Sequence, residues 1–267
     1  MNPNGLWGLP NNWVVMPIVL VLSIIFFHRT LARSGVNWSQ TLLFFFVLSV
    51  VGFIGAKIFS LYTRDWQFMP LMEELKGGVR FPGSLAAKAI VAPLIAKRIF
   101  RNIPGLHILD VFALSFCLLI ALLRFNCFLN GCCFGDLCDQ WYCLSYPKGS
   151  AVWFHQHKEG LVLIGSQWSK PVFPAHLLLG ALELGTFGAL YWLMQNRQFP
   201  GQIAISFLVL EGACKALAES YKIPFSPALQ NAAYISIAVG LILVAITWKK
   251  WRLPNRRTPC NETLHGA

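Results

Sequence analysis

The sequence predicts an all-α polytopic membrane protein with about seven transmembrane helices, its N-terminus outside, its C-terminus in the cytoplasm and one large outward-facing loop. Three observations predict it. The chain is 56% hydrophobic and only 12% charged, about half the charge of an ordinary soluble domain, and its mean hydropathy is +0.56. Seven apolar stretches follow one another, and 267 residues suffice for them at roughly 20 apolar residues per span. Basic residues crowd into alternate connections. The same composition excludes a disordered chain, and the lack of heptads and of a Gly period excludes coiled coil and collagen.

The first stretch, Trp13–Phe27, has no basic segment before it and no small-residue cleavage site after it, so it is expected to persist as a helix and not to be removed as a signal peptide. Leu42–Tyr62 is long enough to span outright. Ser84–Ala96 is short, and is expected to tilt, to re-enter or to be lengthened by its flanks. His107–Leu123 leads into the longest connection, roughly Phe125 to Val172. Phe173–Met194, Ile203–Tyr221 and Ala228–Trp248 complete the set. A single integral membrane domain over residues 1–267 is expected, with a cysteine-rich loop at about 125–172 and a basic tail at about 249–267.

Orientation follows from the bases. His28, Arg29 and Arg33, then Lys97, Arg98 and Arg101, then Arg197, then Lys249, Lys250, Arg252, Arg256 and Arg257 fall in alternate connections. The positive-inside rule makes those segments cytoplasmic. The loop from Arg64 to Arg80 and the cysteine-rich loop then face outward, where Asp65, Glu73, Glu74, Asp136, Asp139 and Glu159 balance the bases. The formal charge of +11 thus serves topology and attraction to anionic headgroups, and nucleic acid is not an expected partner.

Lys57, Lys88, Arg124, Glu183, Glu211, Lys215 and Glu219 lie in or at the ends of apolar stretches, where an unpaired charge costs about 2.5–3.5 kcal/mol. Such a set implies a polar interior. Glu211, Lys215 and Glu219 are spaced by four, which puts Lys215 within reach of both carboxylates on one helical face. A cationic cavity there suits a phosphate headgroup, while structural pairing between helices is the plainer reading. Arg124 sits where the fourth stretch ends, and its guanidinium either grips a phosphate in a bidentate way or snorkels to the interface.

Five of the eight cysteines, Cys127, Cys132, Cys133, Cys138 and Cys143, share one short segment. In an outward-facing loop the leading expectation is a disulfide-stapled loop of undetermined connectivity. A free nucleophilic or lipid-accepting thiol comes second. A zinc site with His155 and His157 comes third, because the spacing is not the two-residue spacing of zinc knuckles. Trp141, Tyr142, Trp153, Phe154 and Trp168 read as an interfacial aromatic belt. Nucleotide-binding loops, the nucleophile elbow and HExxH are all absent from the sequence.

The segment Arg124-Phe125-Asn126-Cys127-Phe128-Leu129-Asn130-Gly131-Cys132-Cys133-Phe134-Gly135 resembles the signature of bacterial prolipoprotein diacylglyceryl transferases, Gly-Arg-x-Gly-Asn-Phe-x-Asn-x-Glu followed two residues on by Gly. Arg124, Phe128, Asn130 and Gly135 match it. Gly77 to Leu85 resembles the family's Gly-Gly-Met-Ser-Phe-His-Gly-Gly-Leu. Phe173-Pro174-Ala175-His176-Leu177 resembles its His-Pro-Ser-Gln-Leu, with Glu183 at its later Glu. Lys57 stands at the second helix's Arg, Asp110 at the Asp that begins the fourth helix, and Lys215 and Glu219 at the Arg and Glu of the penultimate helix. Cys127 replaces the signature Asn, Cys132 the signature Glu, Pro82 the loop His and Glu211 a tyrosine.

The resemblance implies seven helices and transfer of diacylglyceryl from phosphatidylglycerol to the lipobox cysteine of a prolipoprotein at the outer side of the bacterial plasma membrane. It implies no metal and no organic cofactor. On this reading Arg124 and Lys215 stabilise the departing phosphate, Asn130 and Lys57 bind the headgroup, Glu183 and Glu219 orient the cations, and His176 is the nearest base. The replaced signature positions leave two alternatives open: a lipid transferase with a different acceptor, in which a thiol among Cys127, Cys132 and Cys133 takes a covalent part, and a catalytically silent lipid- or lipoprotein-binding protein.

Overall fold

A computed structural model describes residues 11–32, 34–62, 81–223 and 227–251. Among these residues the chain forms eight helices: α1 (Asn11–Ala32), α2 (Trp38–Tyr62), α3 (Phe81–Ile99), α4 (Gly105–Asn130), α5 (Ala151–Lys158), α6 (Ala175–Gln195), α7 (Gln202–Glu219) and α8 (Pro227–Trp251). Five of them, α1, α2, α4, α6 and α8, are long and apolar enough to cross a membrane. With the side chains that face outward on them apolar, such as Phe46, Trp192 and Ile235, this is a multi-pass membrane protein. The helices α3 and α7 occupy the third and sixth apolar stretches but carry Lys88, Lys97 and Arg98, and Glu211, Lys215 and Glu219, respectively. The whole of loop 64–80, expected to face outward, the bases Arg33, Arg252, Arg256 and Arg257, and the tail beyond Trp251 lie outside the described residues.

The centre of the bundle is α4, which packs against α1, α3, α6 and α7. Of its apolar window 56% is buried, against 11% for α8, so α4 is the hub and α8 the lipid-facing rim. Small residues set the closest approaches, as expected where apolar solvent offers no drive to bury larger ones. On α2 and α3, a Cβ added at Gly55 would lie 2.5 Å from the Gly83 carbonyl oxygen. A Cβ at Gly212 on α7 would meet the Ala233 carbonyl of α8 at 3.0 Å. At the end where α1 turns into α2 and α3 into α4, Phe27, Phe44, Leu48, Phe100 and Ile108 form one core cluster. A second, with Leu114, Cys117, Ile120, Leu190 and Phe207, fills the space between α4, α6 and α7.

Asp110 fixes the start of α7. The N-cap residue of that helix, Gly201 at φ 93°, has no side chain to supply a cap. The buried Asp110 carboxylate supplies one from α4, accepting hydrogen bonds from the backbone N–H of Gly201 (2.8 Å) and of Ala204 (3.0 Å), which satisfies two of the amides a helix leaves without partners. Arg197 closes the cluster, 3.6 Å from the same carboxylate and donating to His107 Nδ1 at 2.6 Å.

Two details depart from the sequence expectation. The fourth stretch does not end at Leu123: α4 continues through Asn130, because nothing before Gly131 breaks it, and Arg124, Asn126, Cys127 and Asn130 therefore stand on its last two turns. Trp153 is also no part of an interfacial belt. It is buried and its Nε1 donates to the Ser166 carbonyl at 2.9 Å, whereas Trp141 is 92% exposed. The loop between α4 and α6 is a packed cap. Leu144 and Val172 exchange backbone hydrogen bonds of 3.0 Å, Gln156 holds both the N–H and the carbonyl of Lys170, and a disulfide joins Cys138 to Cys143.

Candidate active site

The end of α4 is shaped by one cap. Gly131 takes a left-handed φ of 62°, its N–H donates to the Phe128 carbonyl, and the Cys132 N–H donates to the Cys127 carbonyl at 3.1 Å. These are the paired bonds of a Schellman motif. Such a cap lays the residue after the glycine over the third residue from the helix end, and here those two residues are Cys132 and Cys127. Cys133 follows with φ 57°, the single non-glycine residue at positive φ among those described. This backbone conformation is one that side chains tolerate poorly. The Sγ atoms of Cys127, Cys132 and Cys133 consequently all lie within 4.8 Å of one another. All three thiols are free and half-buried, while Cys138 and Cys143 staple the loop above them. Hydrogen bonds from Cys127 and Cys132 hold the Cys133 thiol below its ordinary pKa, with Arg124 and Lys222 acting in the same direction.

One turn before Cys127, Arg124 leans against α6. Gly180 makes room for it, since a Cβ there would lie 3.3 Å from Arg124 Cβ. Arg124 Nη2 donates to Glu183 Oε1 at 3.2 Å, and Lys215 Nζ reaches the same oxygen at 3.2 Å. Lys215 also pairs with Glu211 at 3.2 Å. Two cations and two carboxylates from α4, α6 and α7 thus form one chain of charges. Their exposure is asymmetric. The Glu183 and Glu211 side chains are 0% and 1% accessible, Arg124 and Lys215 14% and 25%, so the carboxylates form the floor and the positive groups the accessible side.

His176, in the first turn of α6, is fully buried. Its Nε2 shares a hydrogen bond of 2.8 Å with the Tyr146 hydroxyl, and Phe128 packs on its ring. The thiol and backbone of Cys133 act on the imidazole electrostatically. Tyr146 is the site residue that sequence reasoning missed. It is wholly buried in the loop, and burial raises its hydroxyl above the ordinary range. The bare Gly131 makes way for it, as a Cβ there would meet the Tyr146 ring at 2.7 Å. Nothing in the local sequence marks a tyrosine thirty residues from the histidine it holds.

The remaining sequence candidates spread around this centre. Asn130 Nδ2 is turned back along α4, donating to the carbonyl (2.8 Å) and side chain (3.0 Å) of Asn126. Glu219 pairs with Lys222 at 3.5 Å. Lys57 lies over the Phe53 ring on α2, and the side chain of Pro82 is outside the described residues. His155 and His157 do not join the thiols: His155 packs on Phe134, and His157 stacks on Trp153 and bonds the Val162 carbonyl. The whole arrangement sits where α4 and α7 end and α6 begins, at the opposite end of the bundle from Arg29, Lys97, Arg98 and Arg197.

Comparison with curated proteins gives no significant match to the chain. A family model described as prolipoprotein diacylglyceryl transferase matches residues 13–249. That match runs from the first helix into the last and takes in the thiol cluster and the charge chain, so the protein belongs to the prolipoprotein diacylglyceryl transferase family, membrane transferases of lipoprotein biosynthesis.

Proposed function

We propose that the protein transfers the diacylglyceryl group of phosphatidylglycerol to the lipobox cysteine of a prolipoprotein and releases glycerol phosphate. The observation that carries this reading is the charge chain. Two cations from different helices share the buried Glu183 carboxylate, and both are more exposed than it is, at the same end of the bundle as a group of thiols. In the reaction the acceptor sulfur attacks the glyceryl carbon bonded to phosphate, the carbon–oxygen bond breaks, and the electron pair leaves on the phosphate oxygen. Positive groups fixed beforehand at that oxygen are the largest help a protein can give such a step. Arg124 and Lys215 take that role. Glu183 holds both in place, and Glu219 orients the end of α7 through Lys222. Asn130, exchanging its bonds to Asn126, and Lys57 serve the headgroup. His176, fixed by Tyr146, takes up the acceptor's proton.

The same reading places the protein in the bacterial inner membrane as one integral domain, with α3 and α7 crossing beside the five more apolar helices. Loop 125–172 faces outward and the basic tail at 249–267 faces the cytoplasm. The positive-inside rule supports this, because the bases cluster at the end of the bundle away from the site. A second reading keeps lipid transfer and changes the acceptor, and the three free thiols at the altered signature positions favour it.

The test is release of glycerol phosphate from phosphatidylglycerol by the purified protein, with and without a lipobox peptide. Release that needs both the peptide and Arg124 is the expected result. Release without peptide, accompanied by a gain of lipid mass on the protein itself, establishes the second reading. No release from folded protein with either acceptor leaves a binding role.

A further inference from the structure

We propose that Cys127, Cys132 and Cys133 bind a zinc ion, with its fourth coordination position open toward the incoming acceptor thiol. The open position rests on the transferase reading above; the three-sulfur site does not. Three observations carry it. The thiols converge, with every pair of Sγ atoms within 4.8 Å. Tetrahedral zinc, at a bond length of about 2.3 Å, has sulfur ligands roughly 3.8 Å apart, a spacing that falls inside that limit. The backbone is shaped for the convergence, since the left-handed Gly131 and Cys133 fold two consecutive cysteines back over Cys127. A stapling disulfide is already made elsewhere in the same loop, between Cys138 and Cys143, while these three thiols are left free.

The chemistry of the donors selects the metal. Three soft thiolates favour zinc over magnesium or calcium, and the C-terminal end of α4, where backbone carbonyls gather, is the end of a helix that favours a cation. Three protein ligands and one open position is the form of a reactive zinc site; structural sites carry four. A thiol that takes the fourth position would bind as thiolate, its proton leaving to water. Its sulfur then forms the bond to the glyceryl carbon as the phosphate oxygen leaves with the electron pair, and no oxidant or reductant enters. The zinc keeps its charge throughout.

The experiment uses the full-length protein in detergent, reconstituted with zinc and freed of excess, with bound metal and free thiols counted by mass spectrometry. One zinc per chain is expected, with Cys127, Cys132 and Cys133 shielded from alkylation until a chelator is added. The Cys132→Ser variant should lose the metal, whereas the doubly substituted C138S/C143S protein should keep it. Three reactive thiols and no zinc in the folded wild-type protein overturn the site, as does a disulfide among the three. Cobalt(II) in place of zinc tests the open position. Its visible spectrum should change with a lipobox peptide and not with the same peptide carrying Ser for Cys, and an unchanged spectrum overturns that part. None of these readouts needs lipid transfer, so a metal-loaded protein that responds to the peptide thiol yet releases no glycerol phosphate counts against the donor reading alone.

Discussion

On the proposed function, Arg124 and Glu183 are each required for a different reason. Arg124 is the more accessible partner of a pair whose carboxylate is fully buried, and removing even one neutral hydrogen-bond donor from a developing oxyanion costs about 10²–10³ in rate. Arg124→Ala is therefore expected to lower glycerol phosphate release at least about a hundredfold while leaving membrane insertion intact, as membrane fractionation beside the activity assay checks. Appreciable activity in that variant removes Arg124 from the mechanism. Glu183 acts through others. It holds Arg124 and Lys215 on one oxygen, and replacing it by Leu takes the carboxylate from the largely buried Arg124, while Lys215 keeps its pair with Glu211. Breaking a buried pair in that way costs about 3–5 kcal/mol. Glu183→Leu should thus lower thermal stability in detergent as well as activity, whereas Arg124→Ala should affect mainly activity.

At the scale of elements, the two caps around α4 and α7 divide stability from chemistry. Asp110 caps α7 from the opposite end of the bundle to the thiols, so Asp110→Ala is expected to destabilise the protein by about 2 kcal/mol or more through the lost cap and the broken pair with Arg197. Denaturation monitored by helical circular dichroism reads this directly, and the dependence of any remaining activity on the acceptor peptide should not change. Gly131→Ala should do both kinds of damage. It forces a side chain into left-handed φ, at about 1–2 kcal/mol, and drives a Cβ into Tyr146 at 2.7 Å, disturbing the tyrosine that fixes His176. These elements also mark what was legible in the sequence. Charges in apolar stretches announced themselves, and the four-residue spacing of Glu211 and Lys215 foretold their ion pair. The link of both Lys215 and Arg124 to Glu183 joins three helices, and no local period encodes it. Spacing alone does not show that three of the cysteines converge: zinc knuckles bring sulfurs together across two residues, whereas here a Schellman cap brings Cys127 and Cys132 together across five. Gly131 after the last helical turn was the visible sign of that cap. Tyr146 had no sign at all, because its partner is set by the folding of the loop.

At the scale of the whole molecule, the polarity of the bundle links chemistry to compartment. The connections rich in bases gather where α1 meets α2 and α3 meets α4, while the thiols, the charge chain and the disulfide lie at the other end. A disulfide persists in an oxidising compartment and is rare in a reducing one, and bases accumulate on the cytoplasmic face. Two independent rules, one redox and one electrostatic, therefore support the same proposed orientation, with loop 125–172 outside. A membrane-impermeant maleimide applied to intact spheroplasts distinguishes the orientations. In a cysteine-free background, a cysteine introduced at Lys148, an exposed loop position, should label from outside without permeabilisation, and one at Arg98, at the end of α3, should label only after it. The reverse pattern would put the thiols in the cytoplasm, away from any secreted acceptor, and would leave the Cys138–Cys143 bridge in a compartment that reduces it.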